Sequence, residues 1–150
     1  MHVVAGVGVG FLLAVLWFDL MFDVQALGHR DDDLPAEVVD SIAAYYRRVT
    51  TTAAPMNRLI AAAMLATLVG LVGEIVGNDV RAWVAWASLV LACVGIGLAG
   101  ARTVRNAVRL GAQTDTAANQ STLARVILRD HIVCFVAIAC ALILQVAFSW

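Results

Sequence analysis

Charge is scarce in this 150-residue chain and lysine is absent: 14% of positions are charged, and all ten basic residues are Arg. A soluble domain carries about 25% charged and about 45–50% apolar residues. With 62% hydrophobic positions and a mean hydropathy of +0.87, this chain has too little polar surface to cover its apolar one. Lipid must be its solvent. A net charge of −1 leaves no electrostatic footprint for nucleic acid. Two prolines and eleven glycines exclude a collagen-like or low-complexity chain. Cys93, Cys134 and Cys140 are odd in number and include no CxxC pair, which argues against thiol–disulfide exchange.

Long apolar runs are what the sequence has in quantity. About 20 apolar residues cross a hydrocarbon core about 30 Å thick, and four segments reach that length, at about residues 3–27, 55–77, 80–101 and 127–148. Gly28 to Asp33 closes the first, Gly77-Asn78-Asp79 links the second tightly to the third, and a polar stretch from Gly111 to Thr122 precedes the fourth. The expected fold is all-α, one polytopic four-helix bundle whose second and third spans form an antiparallel hairpin. The first run is not read as a cleaved signal peptide, because it has no basic n-region and Asp19 and Asp23 interrupt it. Residues 35–50 are too short and too polar to cross, yet Val38, Val39, Ile42, Tyr46 and Val49 recur at helical spacing. Pro35 suits a first turn, Glu37 the positive end, and Arg47 and Arg48 the negative end, so this segment is read as an interfacial amphipathic helix.

Arginine sets the orientation, since short Arg-rich loops stay cytoplasmic. Arg30, Arg47, Arg48, Arg58, Arg102, Arg105, Arg109, Arg125 and Arg129 fall in or beside the first and third loops, and Arg81 alone lies opposite. The expectation is a multi-pass plasma-membrane protein with both termini outside, and with Trp83, Trp86 and Trp150 at the outer interface. Arg102, Arg105 and Arg109 recur on one helical face, so the third helix should run on past the membrane with a basic stripe, read as lipid-phosphate contact with a specific anionic ligand site as the alternative. Two GxxxG pairs, Gly6/Gly10 and Gly73/Gly77, permit close helix contact. Packing within the bundle is the primary reading, and a homo-oligomer through the same faces is the alternative.

Ionisable groups inside spans are costly and mark candidate sites. At about 1.5 Å per residue, Asp19 lies about 24 Å into the first span, with Asp23 one turn further. Asn57 and Arg58 open the second span at that level, Arg102, Arg105 and Asn106 close the third, and Arg129, Asp130, His131 and Cys134 open the fourth. Three readings follow. Asp19, Asp23 and His131 could ligate a divalent metal such as iron, manganese or zinc; His131 could act as a general base; or the layer could be structural, with Asp19 paired to Arg58 or Arg102. The site would thus hold either no cofactor or a divalent metal. Trp17, Phe18, Phe22 and Phe135 would line a pocket for a small apolar, aromatic or lipid-like molecule. Glu74, near the opposite surface, is expected to snorkel or to pair with Arg81 or His2.

Three motifs, Tyr45-Tyr46-Arg47-Arg48 after the first span, Asn106 with Arg109-Leu110 at the end of the third, and Arg129-Asp130-His131 opening the fourth, resemble those of the anthrone-oxygenase-like family of small four-helix membrane proteins. The resemblance implies an oxygenase-type catalyst acting on a flat aromatic substrate without a cofactor. Asn106 and His131 would be its polar anchors, His131 the base, and Arg58 or Arg105 the group that stabilises the substrate anion. The competing class is a non-enzymatic accessory or structural subunit, or a small oligomeric transporter.

Overall fold

In hydrocarbon only a helix or a closed barrel satisfies its own backbone N–H and C=O groups, and each apolar run accordingly becomes a helix. A computed structural model describes residues 1–29, 33–52 and 54–148. Arg30, Asp31, Asp32 and Trp150 lie outside the described residues. The rest form six α-helices: α1 (His2–Asp23), α2 (Ala36–Arg47), α3 (Ala54–Gly77), α4 (Ala82–Leu98), α5 (Val104–Ala112) and α6 (Ala117–Ala147). A tight 3₁₀ turn, Val24–Gly28, ends α1, and a wider π turn, Arg48–Thr52, leads from α2 towards α3. A second π turn, Ala99–Thr103, joins α4 to α5 without a break, so the third span continues as one rod to Ala112. Four stretches are long and apolar enough to cross a bilayer: His2–Gly28, Pro55–Gly77, Ala82–Ala112 and Ala117–Ala147.

Local chemistry explains where these rods stop. Asn78 has φ 52° in the turn between α3 and α4, and Gln113 has φ 53° at the end of α5. Asn tolerates this left-handed conformation better than most residues. The Thr116 hydroxyl accepts from the Asn119 backbone N–H at 3.4 Å and starts α6, about ten residues before the apolar run in its sequence.

The spans pack in chain order around a ring. α1 lies against α3 and α6, and α4 against the same two. Ala5, Val9, Leu12, Leu71, Ala92, Ile138 and Ala141 form the core between them. Small residues bring α1 and α3 together, but not the expected ones. A Cβ on Gly70 would lie 2.8 Å from the Ala5 backbone N, and one on Gly8 would lie 2.3 Å from Thr67 Oγ1. Gly6 and Gly10 have nothing within 4 Å, Gly73 meets the Met1 side chain, and Gly77 meets Asp79 of its own turn. The strict GxxxG pairs therefore do not make the contact between the spans; Gly8 and Gly70, on the adjoining helix faces, do.

The Arg-rich end holds a second core. There Val39, Ile42, Ala43 and Tyr46 of α2 pack with Ala107 and Leu110 of α5 and with Leu123, Ala124, Ile127 and Leu128 of α6. The amphipathic helix between the first two spans thus lays its apolar face on protein, because the extended ends of the third and fourth spans supply a partner. A Cβ on Gly111 would come within 2.8 Å of the Arg47 backbone N, so α2 and α5 meet backbone to backbone.

Met1 and Phe148 lie at the opposite end of the bundle. The Met1 ammonium bonds Asp79 Oδ2 at 2.7 Å, and the Trp83 and Phe148 rings lie 5.7 Å apart. Glu74 does not snorkel: it is fully buried, with His2 Nδ1 3.0 Å from Oε1 and Gln145 Nε2 donating to Oε2 at 2.9 Å.

Candidate functional site

Three helices build the polar layer at the Arg-rich end. One turn separates Asp19 from Asp23, so both carboxylates face the same way on α1. Tyr45 and Tyr46 are neighbours on α2, rotated about 100° apart, and each reaches a different acid. Tyr45 OH donates to Asp19 Oδ1 and Tyr46 OH to Asp23 Oδ1, both at 2.7 Å. From α6, His131 Nδ1 lies 2.6 Å from Asp23 Oδ2 and 3.2 Å from the Tyr46 hydroxyl. Its Nε2 points the other way, 3.8 Å from Asp19 Oδ2. Asp23 is fully buried and His131 6% exposed. Burial first, and the adjoining carboxylate second, push both phenols far above the ordinary tyrosine range, Tyr45 through Asp19 and Tyr46 through Asp23. Both therefore stay protonated and keep donating.

One residue earlier on α6, Asp130 turns to a different neighbour. Arg102 Nε donates to its Oδ2 at 2.8 Å and a second Arg102 nitrogen reaches Oδ1, with Thr103 Oγ1 donating at 3.3 Å. Asp130 is 1% exposed, so this bidentate pair removes a buried charge that would otherwise be costly. The Cys134 thiol bonds the Gly95 carbonyl at 3.3 Å.

The cluster forms part of one wall of a half-open cavity of about 620 Å³. Its floor is Leu12, Met64 and Ile138, with Leu12 and Met64 about one turn from the Gly8–Thr67 contact between α1 and α3. α2 and its following turn roof it with Tyr45, Tyr46, Val49 and Thr50. Phe18, Met56, Val104 and Val108 line it and are also exposed, so its mouth lies between helices. The walls are apolar except where Asp19, His131, Asn57, Thr103 and Cys134 appear.

The sequence-expected site divides in two. Asp19, Asp23 and His131 meet. Arg58 and Arg105 are exposed and outside the cluster, Arg105 bonding the Ala101 carbonyl, and half-buried Asn106 does not join it. Neither Arg58 nor Arg102, the expected partners, pairs with Asp19: Tyr45 does, and Arg102 goes to Asp130. Of the four aromatics, Phe18 alone lines the cavity. Trp17 and Phe135 pair with each other, ring centroids 6.3 Å apart, while Phe22 stacks on Tyr45 at 4.1 Å and 10°. As a metal triad the cluster does not converge, because the two acids face opposite ring nitrogens. Among the described residues no group of His, Cys, Asp and Glu is placed to hold a metal ion. The phenol donors Tyr45 and Tyr46 and the Arg102–Asp130 pair were missed. A polar-tipped pair on an amphipathic helix, between two acids and a histidine, was the signal available for the tyrosines.

A comparison with protein families matches residues 3–150 to the SHR3 chaperone family, described as ER membrane protein SH3. No curated protein and no solved structure matches the chain. The match across nearly the whole chain overturns the resemblance to the anthrone-oxygenase-like family, whose motifs covered only short stretches. Oxidoreductase and oxygenase chemistry lose their warrant with it. The plasma-membrane placement is corrected as well, since the family is described by an ER membrane protein.

Proposed function

This chain belongs to the SHR3 chaperone family, and we propose on that footing that it is a non-enzymatic accessory protein of the endoplasmic reticulum membrane. Its partner is then another membrane protein, not a small apolar molecule. It shelters part of that client until the client's own helices assemble. The observation that carries this reading is the cavity: apolar, roofed by α2, and with a mouth between helices rather than under the roof. Lipid is as apolar as a span, so helices in a membrane recognise each other by close packing and polar contacts rather than by hydrophobicity. An incompletely assembled client leaves those features uncovered. Size decides how much of it fits. A helical turn with its side chains, about 11 Å wide and about 5.4 Å in pitch, fills about 500 Å³. The cavity, at about 620 Å³, therefore takes about one turn of a client and not a whole span.

The test is site-specific photo-crosslinking in ER-derived microsomes, against a polytopic membrane protein arrested on the ribosome before its last span emerges. Probes at Met56 and Val108, on the cavity rim, should crosslink the arrested client and lose it on completion. Probes at Val76 and Val146, 78% and 68% exposed and remote from the cavity, should not. Equal crosslinking from all four positions would indicate collision in the lipid and would defeat the reading.

A further inference from the structure

We propose that the Asp19 wall of the cavity is a receptor for one cationic side chain, Arg or Lys, on the client segment. The proposal rests on the reading of the cavity as a client site and names what that site selects.

Valence is the first argument. Asp19 lines the cavity, with its side chain 15% exposed. Oδ1 accepts from Tyr45, whereas the nearest cationic partner of Oδ2, His131 Nε2, stands at 3.8 Å, beyond hydrogen-bond reach. Oδ2 therefore accepts no hydrogen bond from a described residue. The second argument is His131 itself, a cavity-lining residue whose side chain is 8% exposed. Nδ1 is taken by Asp23, and Nε2 has no hydrogen-bond partner among the described residues. Nε2 faces Asp19 Oδ2 across 3.8 Å, a gap wider than a hydrogen bond on a wall of the cavity.

Charge is the third argument. Arg102 neutralises Asp130, which leaves two carboxylates, Asp19 and Asp23, against one imidazole. The wall therefore holds one more acid than base. No described arginine lines the cavity to offset the extra acid, and Arg58 and Arg105 are turned outward.

Depth agrees with this chemistry. Asp19 lies about 26 Å along α1 from His2, near the boundary of a hydrocarbon core about 30 Å thick, where membrane proteins place the Arg and Lys that flank their cytoplasmic span ends. Because α2 roofs the cavity, access is sideways at the level of the spans, which suits a side chain borne on a client helix better than a lipid headgroup held in the interface.

The experiment uses the full chain in phosphatidylcholine vesicles, with a photo-crosslinker at Met56 and single-span Leu/Ala peptides carrying Arg, Leu or Glu near one end. The Arg peptide should crosslink about tenfold more than the Leu peptide, a preference of about 1.4 kcal/mol, and the Glu peptide least. Asp19→Asn should bring Arg down to the Leu level, and Asp19→Glu should restore most of the preference. If Asp19→Asn fails to fold, the order Arg above Leu above Glu in the unaltered protein decides. Equal crosslinking of the Arg and Leu peptides overturns the cation receptor while leaving the client cavity standing. Crosslinking of neither peptide overturns both. Loss of the Arg advantage on adding phosphatidylethanolamine makes an ammonium lipid the occupant and overturns the proposal.

Discussion

Replacing Tyr46 by Phe removes one oxygen and keeps the ring. That oxygen lies 2.7 Å from Asp23 Oδ1, in a pair whose acceptor is fully buried and whose donor is 2% exposed. A hydrogen bond to a charged group contributes about 1.5–3 kcal/mol net, and a buried acceptor left with fewer donors loses most of that. Asp23 keeps His131 Nδ1 at 2.6 Å, so the loss should be near the middle of the range, about 2 kcal/mol, or about 30-fold in the folded-to-unfolded ratio. Tyr45→Phe is the internal control. It removes an equally short bond, but the Asp19 side chain is 15% exposed where Asp23 is fully buried, and the stack on Phe22 survives. Its cost should be about 1 kcal/mol or less. Both are read by reversible SDS unfolding in mixed micelles, followed by helical circular dichroism. Equal costs for the two variants, or no cost for Tyr46→Phe, would refute the assignment of Asp23 as a buried charge held by the phenol.

Glycine packing gives a second contrast: Gly70→Ala, whose Cβ would meet Ala5 backbone at 2.8 Å, should cost about 1–3 kcal/mol by overpacking, whereas Gly10→Ala, with nothing within 4 Å, should be neutral or slightly stabilising in the same unfolding assay. Equal destabilisation would place the α1–α3 contact on the wrong face. Alkaline titration gives a third, because Tyr45 and Tyr46 are the two tyrosines of the chain. Both folded phenols titrate above their unfolded value of about 10, so the folded state holds its protons more tightly; the stability this contributes is complete below about pH 10 and lost as pH rises towards the folded values. Tyrosinate absorbance should therefore stay absent at about pH 10 and rise together with unfolding, while half-ionisation at about pH 10 in a folded protein would contradict the burial of these hydroxyls.

The four spans were legible because 20 or so apolar residues have one solution in lipid. The meeting of Asp19, Asp23 and His131 was legible too, since depth along a helix follows from counting residues and one turn fixes which acids share a face. What lay beyond counting was rotation about each helix axis. Gly6/Gly10 match the motif better than Gly8, yet Gly8 faces Thr67, because the choice between adjoining faces depends on how α1 sits against α3 and α6 together. Trp17 and Phe135 missed the cavity for the same reason, turning towards each other instead. The acids' partners were misjudged because arginine is the expected answer to a buried carboxylate, and two phenols brought by α2 supplied the donors for Asp19 and Asp23. No periodicity in α2 states that its apolar face would find α5 and α6.

Filling the cavity tests the central claim most directly. Ala61 lines it from α3 and is otherwise exposed, so Ala61→Trp places a large ring in the cavity without disturbing the buried cores. The variant should unfold like the unaltered protein and yet lose crosslinking from Val108 to an arrested polytopic client, with more of that client aggregating in the ER membrane. A folded Ala61→Trp protein that still protects and crosslinks its client at the original level would contradict the account.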